Sequence, residues 1–190
     1  ARELKKGGGE NFVSTGMLPL PQSQIETNFW AFYVNAGIDA FQQEDSEAAL
    51  TAFSKSSTLI PDSIASFYYA GLAAITLKKH DLAMENFSTY IENGGMELDA
   101  FERQAYLMSN VKGMKVEALE FIRESKKKFP GAKSLDEWEF RLLFDLDMVD
   151  EAIKALKVAI DADPENPEMF FNLAVMLEKS EDFDGARNAY

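Results

Sequence analysis

The sequence predicts an all-α solenoid of antiparallel helix pairs, and two observations carry the prediction. Small, apolar and aromatic residues recur with a period of 34 residues over most of the 190-residue chain. A fixed period of this length is typical of helical repeat arrays. Prolines and glycines also follow the apolar stretches at the points where each helix of such an array would end.

The period is clearest between residues 30–63 and 64–97. Equivalent positions hold residues of the same kind: Tyr33 and Phe67, Gly37 and Gly71, Ala49 and Ala83, Phe53 and Phe87. This spacing of aromatic, glycine and alanine positions resembles the tetratricopeptide repeat (TPR) family, in particular the TPR proteins of bacteria. The resemblance implies a right-handed superhelix in which each repeat is two antiparallel helices.

Three further units follow, at residues 98–132, 133–166 and 167–190, so that we predict about four and a half repeats within 22–190. The third unit is out of phase by one residue, because its alanine after the turn is Ala118. In the fourth unit Trp138 lies only 14 positions before Ala152, where 16 are expected. We therefore expect its first helix or its turn to be about two residues short.

Small residues mark the places where the two helices of a repeat approach each other, because a larger side chain would force them apart. On the first helices these are Gly37, Gly71, Ala105 and Ala174, and on the second helices Ala49, Ala83, Ala152 and Ala186. Aromatic residues are expected to fill the space toward the next repeat, at Phe53, Phe87, Phe121 and Tyr190. Stability then comes from stacking of neighbouring repeats.

Helix boundaries are predicted from proline, glycine and capping residues. Helices should end before Pro61, Pro130 and Pro164 and at Gly94–Gly95, and begin at the N-caps Asp62, Ser134, Asp147 and Asn166. Residues 1–21 have no period and contain three consecutive glycines, which favours an extended segment before a helix near residues 22–24. Because the chain starts at Ala1 and ends at Tyr190 in a predicted helix, we expect it to be part of a longer protein.

The resemblance implies that the first helices line a concave groove for a partner, through roughly the second, fifth, ninth and twelfth residues of each repeat. The groove residues we single out are Val34, Ile38, Phe41, Tyr68, Leu72, Ile75, Tyr106 and Phe171. Val34 and Ile38 stand where some family members carry the Lys and Asn of a carboxylate clamp, so we expect no such clamp. Two interpretations stay open. Either an apolar segment covers this groove, from a partner or from the chain's own residues 12–20, or these side chains are ordinary core.

Charge and composition narrow the functional classes. The net charge of −13 disfavours binding to nucleic acid and to anionic membranes. The absence of cysteine excludes disulfides and thiolate chemistry. His80 is the only histidine, expected in a solvated turn, and an acidic stretch at 161–165 fails as a calcium loop because Pro164 interrupts it. No catalytic residue, metal or cofactor is predicted.

The leading functional prediction is a non-enzymatic protein–protein interaction scaffold that binds a protein or peptide. The alternative is a structural module that self-associates through apolar end faces of the array. An enzyme is the third class, disfavoured by the missing nucleophiles. No apolar run is long enough for membrane insertion, and the compartment, whether cytoplasm or periplasm and cell envelope, is left open.

Overall fold

The computed structural model describes residues 21–190, and within that range the helix is the only regular secondary structure. Its helices are α1 Gln22–Gln42, α2 Ser46–Leu59, α3 Ile64–Thr76, α4 His80–Glu92, α5 Leu98–Tyr106, α6 Lys115–Lys128, α7 Lys133–Asp145, α8 Val149–Ala162, α9 Pro167–Lys179 and α10 Phe183–Ala189. A π-helical turn, Leu107–Val111, continues α5. Consecutive helices pack against each other in sequence order. The predicted all-α repeat solenoid is confirmed. The extended segment predicted for 1–21 lies outside the described residues except for Pro21.

The helix pairs approach most closely where the first helix carries glycine. A Cβ atom added to Gly37 would lie 2.6 Å from Cζ of Phe53, and one added to Gly71 would lie 2.9 Å from Cε1 of Phe87. Both phenylalanines are completely buried. Each glycine therefore leaves the space that an aromatic ring of the second helix fills. The close approach predicted at these two glycines is confirmed, whereas the rings, expected toward the next repeat, also fill the space within their own repeat.

Later repeats fill the same space with different residue sizes. In the third repeat the residue four positions after the buried Ala118 is Ile122, and its side chain is fully buried. Phe121 instead stacks on Phe101, with ring centroids 5.9 Å apart. The prediction that Phe121 takes this place is therefore wrong by one residue. In the fourth repeat Phe140 is at the position of the glycines and Leu156 is at the position of the buried phenylalanines. Tyr190, at the last position, is exposed.

The π-helical turn explains why the third repeat is out of phase. A π-helical turn accommodates one extra residue within a helix. Leu107–Val111 lies between Ala105, which is equivalent to Gly71, and Ala118, which is equivalent to Ala83.

The expected shortening of the fourth repeat is wrong. Helix α7 has 13 residues, as α3 and α9 have. Trp138 is simply not the equivalent of Phe67, because the fourth residue of α7 is Asp136.

The turns within the repeats share one backbone conformation. Each has a residue with positive φ just after its first helix: Glu44, Lys78, Gly113, Asp147 and Glu181.

Three of the predicted N-caps are wrong by one or two residues, because the capping positions are Ser63, Ala132 and Met148. Asn166 is confirmed, since its side chain accepts a hydrogen bond from the Glu168 amide at 3.1 Å. The helix ends before the three prolines and at Gly94 are confirmed as well.

A network of ion pairs connects the second half of the array. Arg123 of α6 binds Glu139 of α7 at 2.8 Å and Glu151 of α8 at 2.7 Å. Lys126 of α6 binds Glu139 and Asp136, both at 2.6 Å. Lys126, in the last turn of α6, therefore lies at the contact between two repeats.

Glu139 is at the centre of this network, with a side chain that is 12% exposed. Burial alone would raise the pKa of Glu139, but hydrogen bonds from Lys126 and Arg123 outweigh burial and lower the pKa below its ordinary value. A lowered pKa in the folded state means that the charged carboxylate stabilises the fold. This contribution is present above the unfolded-state pKa of about 4.3 and is lost as the pH falls through the folded-state pKa.

We expect Gly37→Val to destabilise the protein by about 2 kcal/mol, because the new side chain overlaps the Phe53 ring. That ring cannot easily move, since it packs between Phe41 and Tyr69 at centroid distances of 5.6 and 5.2 Å. Urea unfolding would measure the loss, with Asn35→Val on the exposed side of α1 as the control. Equal stability of the two variants would contradict the close packing.

Glu139→Gln should lower the free energy of unfolding at pH 7 by about 2 kcal/mol, because Arg123 and Lys126 lose a charged partner. The difference from the unmodified protein should shrink as the pH falls through the pKa of Glu139, where the carboxylate is protonated in both states. Urea unfolding at pH 7 and at lower pH would measure it. Glu120→Gln, an exposed change on α6, is the control, and a pH-independent difference for Glu139→Gln would refute this account.

Candidate functional site

The first helices of the last two repeats enclose a groove between them. Its volume is about 370 Å³, and all of its lining residues belong to α7 and α9. They are Glu137, Phe140, Arg141, Phe144, Glu168, Met169, Phe171, Asn172 and Val175. We call this surface the α7–α9 groove. Six of these residues are the fifth, ninth and twelfth of the fourth repeat and the second, fifth and ninth of the fifth repeat, as expected of side chains on the inner face of a TPR array.

The α7–α9 groove exposes aromatic side chains to solvent. Phe144 is 43% exposed and Phe171 is 56% exposed. The Phe171 ring also contacts Tyr190, with centroids 5.9 Å apart. Neighbouring exposed aromatic residues on one concave surface are a common mark of a binding site for another molecule.

Charged side chains border these aromatic residues. Glu137 and Glu168 form no ion pair within residues 21–190. The guanidinium of Arg141 lies over the Trp138 ring, 5.2 Å from its centroid. Lys179 lies over the Phe144 ring at 5.2 Å, and Asp147 neutralises its charge at 2.5 Å. The groove thus combines apolar surface with two unpaired carboxylates.

Most of the groove residues singled out from the sequence lie in the first half of the array and are half-buried: Val34, Ile38, Phe41, Tyr68, Leu72 and Ile75. All of them except Val34 pack against the core of the first repeats. For example, Phe41 contacts the rings of Phe53 and Tyr69. These contacts agree with the second interpretation, ordinary core packing, and whether any of the six also touches a partner remains a prediction.

Tyr68 connects the second and third repeats across the inner face. Its hydroxyl donates a hydrogen bond to Asp99 of α5 at 3.0 Å, and Arg103 donates to the same carboxylate oxygen at 2.6 Å. Burial, followed by the hydrogen bond to Asp99, raises the pKa of Tyr68 to about 12. The hydroxyl therefore stays protonated at neutral pH and is already engaged within the protein.

The remaining two predicted residues are exposed: Tyr106 is on α5, and Phe171 lies in the α7–α9 groove. Sequence reasoning missed Glu137, Phe140, Arg141 and Phe144 of α7. Three of these four would have been found by counting the fifth, ninth and twelfth residues from residue 133. The assumption that the fourth repeat was two residues short obscured that count.

The described residues offer no assembled metal centre. Among residues 21–190 no group of three or more His, Asp or Glu side chains is arranged to hold a metal ion. His80 begins α4 instead of lying in the preceding turn, and it is half-buried. The same part of the chain contains no helix with the length and hydropathy needed to cross a membrane.

Comparisons with known proteins agree with this architecture. A structure of MamA residues 41-end from Desulfovibrio magneticus RS-1 is 17% identical, with a TM-score of 0.69 over 85% of this chain and 91% of that one. A crystal structure of YrrB, a TPR protein with an unusual peptide-binding site, is 19% identical, with a TM-score of 0.70 over 87% and 86%. Another MamA structure, 13% identical, has a TM-score of 0.74 over 86% and 88%.

At these identities the structural likeness concerns the fold. No curated protein matches the sequence. The model of a tetratricopeptide repeat family matches residues 139–190, which include most of α7 and all of α8, α9 and α10. The same helix-pair pattern extends back through the described residues, with a buried alanine at the equivalent position of each second helix. Residues 139–190 therefore match the tetratricopeptide repeat family, and the described residues as a whole have the fold of a TPR protein.

Proposed function

We propose that this chain is a non-enzymatic protein–protein interaction scaffold that binds a segment of a partner in the α7–α9 groove. The observation that carries the proposal is the pair of exposed aromatic side chains, Phe144 and Phe171, on facing helices. Burying them under a partner would remove apolar surface from water, which is the main favourable term in protein association.

The shape and chemistry of the groove also fit an extended or helical segment. A volume of about 370 Å³ accommodates a few side chains of a peptide. The lining residues include no serine, threonine, cysteine or histidine, so the groove offers binding contacts and no hydroxyl, thiol or imidazole nucleophile. The peptide-binding site of YrrB supports the proposal, because a protein of similar fold has a site for peptide.

The eight residues predicted from the sequence contribute differently to this proposal. Phe171 is a direct contact, and Tyr106 extends the binding surface along α5. Five of the six half-buried residues, Ile38, Phe41, Tyr68, Leu72 and Ile75, mainly hold the first repeats together and so support the shape of the inner face. Carboxylate-clamp recognition is not part of the proposal, because Val34 and Ile38 lack the required polar groups.

The proposal predicts that peptides selected from a random phage-displayed library will lose at least about tenfold in affinity for Phe144→Glu/Phe171→Glu, since buried aromatic contacts dominate such interfaces. Fluorescence anisotropy would measure the affinities. The matched control is Val116→Glu/Val158→Glu, which introduces the same two charges at exposed apolar residues of the second helices. Urea unfolding would verify that both variants fold. Equal binding by both variants, or no selected peptide, would refute the proposal.

A specific observation also favours the alternative function, self-association through an end of the array. Helix α1 has 21 residues, eight more than α3, and its first half exposes Ile25, Phe29 and Phe32. These residues are spaced by four and three positions and therefore lie on one side of the helix. In this alternative, two copies bury the stripe against each other.

Self-association through α1 predicts that the sedimentation coefficient rises with protein concentration. It also predicts that Phe29→Glu/Phe32→Glu abolishes the rise, because the substitutions place charge in the apolar contact. Sedimentation velocity over a broad concentration range would measure both effects. Gln24→Glu/Asn28→Glu is the control, since it changes exposed polar residues of the same helix. A concentration-independent sedimentation coefficient for the unmodified chain would exclude this alternative.

A further inference from the structure

We propose that the segment bound in the α7–α9 groove is cationic, with a large apolar side chain flanked by lysine or arginine. The inference rests on the proposed function and adds the chemical class of the partner. Its basis is the combination of unpaired carboxylates with exposed aromatic rings in the same groove.

The carboxylates lie on both sides of the groove. Glu137 projects from α7 and Glu168 from α9, and both are exposed. Elsewhere in the structure many carboxylates are already paired, as Glu139 is with Arg123 and Lys126. A cation of a partner that enters between α7 and α9 would meet acceptors that no group within residues 21–190 neutralises.

The acidic character continues along the inner face beyond the groove itself. Glu178 of α9 is exposed and Glu102 of α5 is half-buried, and neither forms an ion pair within the described part of the chain. The net charge of −13 adds a long-range attraction for cations. Charge complementarity of this kind raises association rates and excludes partners of the wrong sign.

The aromatic rings suit the same partner. Phenylalanine faces attract ammonium and guanidinium groups as well as apolar side chains. The structure already shows this contact, because the ammonium of Lys179 lies 5.2 Å from the centroid of the Phe144 ring. A partner with an apolar side chain beside a cation would use the Phe171 ring and the neighbouring carboxylates together.

An acidic partner is the rival interpretation, since Arg141 also lines the groove. Two features disfavour it. The guanidinium of Arg141 is already stacked over Trp138 at 5.2 Å. A partner carboxylate beside it would also lie near Glu137, which is four residues earlier on the same helix, and near Glu168 across the groove. The two carboxylates and one guanidinium that line the groove leave it with a net negative charge, which disfavours a partner carboxylate.

The test uses the full chain and the random peptide library. Groove-dependent peptides are defined as those that bind the unmodified chain and Val116→Glu/Val158→Glu but not Phe144→Glu/Phe171→Glu. Lysine and arginine should be enriched in these peptides relative to the unselected library. Glu137→Gln/Glu168→Gln should weaken their binding about fivefold, as expected from the loss of two partly exposed ion pairs. Fluorescence anisotropy would measure the change.

The control is Glu85→Gln/Glu120→Gln, which removes the same charge from two exposed residues of α4 and α6. It should leave the affinities nearly unchanged, so that an effect of net charge alone is separated from an effect of the groove. Groove-dependent peptides without enrichment in lysine or arginine, or with equal loss in both variants, would overturn the cationic partner and leave the scaffold function intact. If no groove-dependent peptide is recovered, both proposals fail.

Discussion

The close contact between glycine and phenylalanine within each of the first two repeats is the constraint on which the rest of the array depends. Gly37 and Gly71 leave space for the completely buried rings of Phe53 and Phe87. Because the ring enters the backbone surface of the first helix, the helices of a pair have one favourable separation. The same ring also joins successive pairs, because Phe53 stacks on Tyr69 of the second repeat with centroids 5.2 Å apart.

The array tolerates changes in this contact because the sizes of the two partners compensate. Where the first helix carries Phe140, the second helix carries Leu156 instead of phenylalanine. The fourth repeat also replaces the usual aromatic residue by Asp136, whose ion pair with Lys126 joins α7 to α6. Core packing in this half is therefore supplemented by charges. The exposed aromatic residues of the α7–α9 groove lie in these two C-terminal repeats.

The sequence was sufficient to predict the fold because the repeat signal uses residues with a steric role, namely glycine, alanine and proline. The sequence was insufficient where the helix geometry, the alignment of a repeat or the position of a cap departs from the regular pattern. A π-helical turn at Leu107–Val111 has no simple sequence signature. The sequence therefore shows that Ala118 is one residue out of phase but does not give the cause. The sequence pattern aligns Trp138 with Phe67, whereas the residue equivalent to Phe67 is Asp136. The N-cap predicted at Asp147 is one residue early, because Asp147 is the turn residue with positive φ and Met148 holds the capping position.

The candidate site was harder to predict than the fold, since exposure depends on neighbours that periodicity does not specify. Tyr68 and Phe171 hold the same place in their repeats, the fifth residue of the first helix. Tyr68 is covered by the rings of Phe87 and Tyr90 and by its hydrogen bond to Asp99. Among residues 21–190, Phe171 has one ring contact, with Tyr190, and stays largely exposed. The same repeat position thus serves packing in one half of the array and is available for recognition in the other.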